Sequence, residues 1–147
     1  MRDFLHEHSL SLTAGAVLTT WIIAYVFSNP DTHLGNFFGN AIADWSGVVT
    51  MVLATKFLYE RGSAESRNPP PDGESFLANA WRHHSLTIFL GVSLVGWTVL
   101  YAHMSVNGKW GQVVGNVVSE WLQSIGLVLL TKRFIERHSK ESQDAKG

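Results

Sequence analysis

The chain has 147 residues, enough for one compact domain and little more. Hydrophobic residues make up 46% of it and charged residues 16%, against roughly 25% charged in an average soluble domain. A formal net charge of −1 with no basic face argues against nucleic acid as a partner, and the absence of cysteine excludes disulfides, thiolate metal sites and cysteine nucleophiles.

The first apolar block, residues 9–27, contains no charged side chain. The second, 36–59, is interrupted by Asp44 and carries Lys56 near its end. The third, 85–104, holds only His103, and the fourth, 111–135, is interrupted by Glu120 and by Lys132 and Arg133 near its end. Each is long enough to cross roughly 30 Å of hydrocarbon at about 1.5 Å per residue. A soluble bundle would need a polar face on every helix, and residues 9–27 offer only Ser and Thr. The expected fold class is therefore all-α, an integral membrane four-helix bundle in the lipid bilayer.

The second and fourth blocks share a motif. Gly39-Asn40-Ala41-Ile42-Ala43-Asp44-Trp45 recurs 76 residues later as Gly115-Asn116-Val117-Val118-Ser119-Glu120-Trp121. Extending that register without a gap pairs 8–66 with 84–142, and twenty of the 59 pairs are identical, too many for shared hydrophobicity to produce. The expectation is two tandem helical hairpins from an internal duplication. Its parts are a first transmembrane hairpin over 1–60, a cytoplasmic linker over 61–75, a second hairpin over 76–137 and a disordered cytoplasmic tail over 138–147. Each hairpin crosses an even number of times, so a pseudo-two-fold along the membrane normal should relate them. The duplication also argues that 9–27 is a retained helix rather than a signal peptide, since its counterpart is internal.

Arg2, Arg61, Arg67, Arg82, Arg137, Lys140 and Lys146 lie at the N-terminus, in the linker or in the tail. Only Lys109 lies in the connections on the other side, 28–35 and 105–110. That asymmetry predicts that both termini are cytoplasmic. Lys56 and Lys132, each with a glutamate four residues on (Glu60 and Glu136), are expected to form ion pairs along the helix ends.

Small residues recur every four positions at Gly39, Ala43 and Gly47, and again at Gly111, Gly115 and Ser119. In lipid such stripes let helix backbones approach closely, within one chain or between subunits, so these positions are expected to be helix-packing sites.

Asp44 and Glu120 are the leading chemical candidates, since an ionised acid near the bilayer centre costs about 2.5–3.5 kcal/mol on insertion scales. Asn40 and Asn116 each lie one turn from their acid on the same face. If the two acids share a dry site they cannot easily both ionise, which suits proton or cation binding by Asp44, Glu120, Asn40 and Asn116. The same acids also read as interhelical hydrogen-bonding groups, as belt residues near an interface, or as redox or catalytic groups. His8 and His84 occupy equivalent positions beside His6 and His83, and two such imidazoles suit a divalent metal or an axially ligated haem. No HExxH run, phosphate-binding glycine loop, nucleophile elbow or channel-filter motif is present. No catalytic motif therefore identifies an enzyme, and redox or catalytic use of the two acids stays open beside the other readings.

Leu58-Tyr59-Glu60-Arg61-Gly62-Ser63-Ala64-Glu65-Ser66, Ser119-Glu120-Trp121-Leu122-Gln123 and the opening at His8–Leu12 resemble an uncharacterised family of small bacterial membrane proteins built as duplicated helical hairpins. The resemblance covers nearly the whole chain and implies a four-helix protein of the bacterial cytoplasmic (inner) membrane. It carries over no activity. The chain departs from that pattern in its shorter outer connections and in Asp44, where the family has Glu. The functional expectation is a small proton or cation channel or transporter. The alternative is a non-catalytic scaffold or accessory subunit that binds other transmembrane helices, and the third is haem or metal binding at His8 and His84. A homo-oligomer or a larger membrane complex is the expected assembly.

Overall fold

The computed structural model describes residues 6–65, 69–71, 73, 75–105 and 107–134. The expected tail at 138–147 and the last residues of the second hairpin, 135–137, lie outside them. The described residues are all-helical with no strand, in four helices: α1 (Ser9–Phe27), α2 (His33–Phe57), α3 (Phe76–His103) and α4 (Lys109–Arg133). All four are long and apolar enough to cross a membrane.

Buried backbone in an apolar medium must be satisfied internally, which favours continuous helices. Side-chain hydroxyls follow the same rule by bonding back one turn, as Thr19 does to Gly15, Thr20 to Ala16, Ser93 to Phe89 and Thr98 to Leu94. This accommodates the Ser and Thr residues of α1 and α3 on faces that are otherwise apolar. Large apolar side chains such as Ile23, Val26, Val92 and Val95 are more than half exposed, forming an outer surface suited to lipid.

Helix ends have local causes. Thr32 caps α2 by accepting from the Gly35 N–H at 3.1 Å, and a Cβ at Gly35 would stand 1.9 Å from the Asn29 carbonyl oxygen, so this tight turn requires glycine. Ser75 caps α3 through the Ala78 N–H. The bounds of α2 and α4 match at an offset of 76, and so do those of α1 and the part of α3 beginning at Ser85. α3 starts nine residues before that point, with a break in helical geometry at His84 (φ −132°, ψ 18°). His8, 76 residues earlier, holds similar angles (φ −111°, ψ 10°) at the point where α1 begins.

α1 packs on α2, α2 on α4, and α4 on α3, so α2 and α4 form the centre. One apolar cluster joins Ala43 and Ala54 of α2 to Leu86 and Leu90 of α3 and to Val117, Trp121 and Val128 of α4. A second joins Tyr25 of α1, Ile42 of α2 and Val113 of α4. The hairpins are also tied at the end that carries their tight turns. There the Tyr25 hydroxyl donates to the Lys109 carbonyl, and Lys109 Nζ donates to the carbonyls of Val26 (3.0 Å) and Ser28 (2.7 Å). A cation on the last carbonyls of α1 complements the negative end of that helix.

The small-residue positions divide. Gly39 is buried, and a Cβ there would lie 3.2 Å from the Tyr25 ring. Ala43 is buried in the larger cluster, and Gly47 faces Glu120 of α4. Gly111 is buried, and a Cβ at Gly115 would lie 2.9 Å from the Tyr101 ring. Ser119 is exposed and takes no part in the close approach. Each four-residue step drifts about 40° around a helix of 3.6 residues per turn, so such a stripe leaves a contact after a turn or two.

Candidate functional site

Asp44 lies eleven residues after His33 and thirteen before Phe57, and Glu120 has the same place in α4, so both acids sit near mid-helix. Glu120 projects into the α2–α4 seam against Gly47, and Asp44, one turn from Gly47 on α2, is near enough for the two acids to feel each other's charge. Gln123 Nε2 donates to Glu120 Oε1 at 3.1 Å, and Gly47 leaves the space that the Glu120 carboxylate fills. One turn toward the tight-turn end, Asn116 Nδ2 donates to Asn40 Oδ1 across the same seam. The four residues singled out in the sequence are thus brought together.

Two amides complete the group. A cleft of about 450 Å³ is lined by Asn36, Asn40, Tyr101, Gln112, Gly115 and Asn116. Asn36 and Gln112 stand one turn before Asn40 and Asn116, 76 residues apart from each other, so the repeat register already carried their signal. Carboxamides offer both donors and acceptors, which lets this lining solvate a cation, a hydronium or a water chain. Away from the cleft, beyond Gly47, the seam turns apolar with Met51, Ala54 and Val128.

This polar strip is open on one side. Asp44 and Asn40 are exposed, while Glu120 and Asn116 are half-buried. The burial expected of a closed bundle axis is absent, because α1 and α3 cover other faces of α2 and α4.

A second polar centre lies at the opposite end, which is rich in Lys and Arg. Glu60 is only 1% exposed. Its Oε1 lies 2.8 Å from Lys132 Nζ and 2.7 Å from His84 Nδ1. Burial acts to raise the Glu60 pKa, but the hydrogen bonds with Lys132 and His84 and the His84 charge outweigh it, leaving it below the ordinary value.

The expected i, i+4 pair of Lys56 with Glu60 does not form. α2 stops at Phe57, Leu58 is extended, and Glu60 crosses to the second hairpin. The backbone follows it. The Tyr59 N–H donates to Ser85 Oγ (2.9 Å), the Arg61 N–H to the His83 carbonyl (2.8 Å), and the Leu86 N–H to the Tyr59 carbonyl (3.1 Å). These bonds occupy backbone groups freed by the break at His84. Ser63, fully buried, meets the Thr131 hydroxyl at 3.1 Å. Residues 58–65 are therefore a clasp between the hairpins, and Gly62 turns it with a positive φ of 83°.

His8 and His84 have separate surroundings: His8 Nδ1 lies 3.1 Å from Lys56 Nζ, while His84 Nδ1 is taken by Glu60. His83 borders the Arg61 and Phe76 side of the clasp and stacks edge-on with Tyr59. Among the described residues no three His, Asp or Glu side chains converge as a metal site would require.

Comparison of the chain with known protein families, with curated proteins and with solved structures gives no match.

Proposed function

We propose that the protein is a small integral membrane channel or transporter for protons or cations, with Asp44 and Glu120 as its binding pair. The observation that carries this reading is the placing of two mid-helix carboxyl groups on one seam, one turn from a cleft lined by four amides. Two neighbouring carboxyl groups do not easily both ionise, and a proton shared between them is one that can be held and exchanged. The basic residues orient the clasp end and both termini to the cytoplasm, and the cleft then opens outward. The location in a bacterial inner membrane rests on the family resemblance.

Matching helix bounds, the α1–α2–α4–α3 order and the Asn40–Asn116 contact all support a duplicated hairpin with a pseudo-two-fold along the membrane normal, passing between α2 and α4. The open side of the polar strip supports a homo-oligomer in which a second copy covers it, because a half-exposed acid against lipid is costly.

The test is proton and cation flux in proteoliposomes. Wild-type protein is expected to conduct and Asp44→Asn/Glu120→Gln to lose most of the flux; equal flux in the two would sink the proposal. The exposure of Asp44 and Asn40 also favours a second reading, an accessory subunit whose polar strip docks another protein's helix. Purification as a monodisperse monomer without partners would count against that reading.

A further inference from the structure

We propose that the cavity between the end of α2 and the start of α3 binds the phosphate headgroup of an anionic phospholipid, held by Lys56 and Arg82. The cavity measures about 440 Å³ and is lined by both cations, by Phe57, Tyr59 and Trp81, and by one acid, Glu65. α3 packs mainly on α4, and the cavity occupies the space left beside α2 at the end rich in Lys and Arg.

The two lysines at equivalent places serve different groups. Lys132 Nζ meets the Glu60 carboxylate, whereas Lys56 Nζ lies 3.1 Å from His8 Nδ1 and 5.5 Å from the centre of the Phe57 ring. An ammonium carries three donors, so the contact with His8 leaves Lys56 able to donate into the cavity. Arg82 donates from Nη1 to the Pro71 carbonyl at 3.2 Å, which steadies a guanidinium whose planar fork matches phosphate oxygens. Two cations against one carboxylate give the lining an excess of positive charge, the complement of a phosphodiester.

The rim of the cavity selects a lipid over a soluble phosphate. Phe57, Phe76 and Leu77 are each more than three-quarters exposed, and Trp81 more than half. With the four helices spanning a bilayer, this end stands at headgroup depth, where indole rings and basic side chains concentrate. The first turns of α3 precede the break at His84, so Phe76, Leu77 and Trp81 are carried on a short segment of their own. Basic pockets between helices on the cytoplasmic side are a recurrent means of holding acidic headgroups. The site is separate from Asp44 and Glu120 and stands whether or not those acids carry ions.

The test is native mass spectrometry of the full chain in detergent, titrated with phosphatidylglycerol or with zwitterionic phosphatidylcholine. The wild-type chain is expected to retain one phosphatidylglycerol in preference to phosphatidylcholine. Lys56→Gln and Arg82→Gln should each weaken that binding roughly fivefold, and the double variant should lose the preference. Arg133→Gln, which removes an exposed cation at the same end but outside the cavity, should change it less than about twofold. Lys56→Arg/Arg82→Lys keeps both charges and should keep the preference, which separates loss of the site from loss of the fold. Equal retention of the two lipids by the wild-type chain, or a preference that survives in the double glutamine variant, overturns the proposal. Displacement of the lipid by millimolar inorganic phosphate would overturn it as well, by showing that a free phosphate is enough.

Discussion

Asn116 donates its side-chain amide to Asn40, so two residues at the same place in a recurring motif face one another across the α2–α4 seam. Both amides also line the cleft, where water can compete for the bond. Interhelical hydrogen bonds in membranes average about 0.6 kcal/mol and reach about 1.7. A double-mutant cycle of Asn40→Ala and Asn116→Ala, read by reversible unfolding in detergent, is expected to give a coupling energy in that range. A coupling near zero would mean that the seam is held by apolar packing alone.

Glu60 sets an acid limit on stability. Its folded pKa lies below its unfolded value, so the unfolded chain binds more protons wherever pH falls between the two. Its contribution is full above the ordinary glutamate value of about 4.3 and is lost as pH falls through the lower folded value. Glu60→Gln should flatten that part of the stability profile and lower stability at neutral pH by about 1–3 kcal/mol, since Lys132 and His84 lose their anion. An unchanged acid limb in melting curves of the variant would show that other carboxylates set it.

Gly39 and Gly115 are equivalent in sequence but should respond differently to a methyl group. Tyr25, which meets Gly39, is 1% exposed and fixed through its hydroxyl to Lys109. Tyr101, which meets Gly115, is 41% exposed and free to swing toward the cleft. Gly39→Ala is therefore expected to cost about 1–3 kcal/mol by overpacking, and Gly115→Ala less than about 1 kcal/mol. Thermal unfolding of the two variants side by side checks the order.

Trp121 depends on Ser93. The indole N–H donates to the Ser93 hydroxyl at 2.8 Å inside the larger apolar cluster, where Trp121 is 4% exposed. Ser93→Ala leaves that donor without an acceptor at a cost of about 1–3 kcal/mol. Ser93→Thr keeps the hydroxyl and should retain most of the stability, so a loss in Thr equal to that in Ala would point to crowding instead.

The four spans and the tight turns were legible because uninterrupted apolar length is a strong signal and the repeat register fixed where each block begins. The choice of neighbours was harder to see. In a helix such as α1, apolar all round, no face is marked for the interior, and the four-residue stripes at Gly39 and Gly115 say only that something comes close. The neighbouring places of Asp44 and Glu120 followed from the recurring motif, whereas the open side of their strip depends on where α1 and α3 settle. Glu60 reads as an ordinary partner for Lys56 only if helical spacing continues past Phe57. The end of α2 at Phe57 comes from backbone bonds to Ser85 and His83, groups more than twenty residues farther along.

The clasp also has an order in time. Glu60 and Lys132 are 72 residues apart, so during synthesis the carboxylate emerges long before the ammonium that neutralises it. The first hairpin can insert and pair α1 with α2 while Glu60 is still hydrated at its end. Only after α4 has emerged can residues 58–65 leave water and seat against His84 and Lys132. Burial of Glu60 therefore marks the arrival of the second hairpin, and a chain truncated before Lys132 would carry that segment unseated, open to proteolysis at the point where the complete protein is closed.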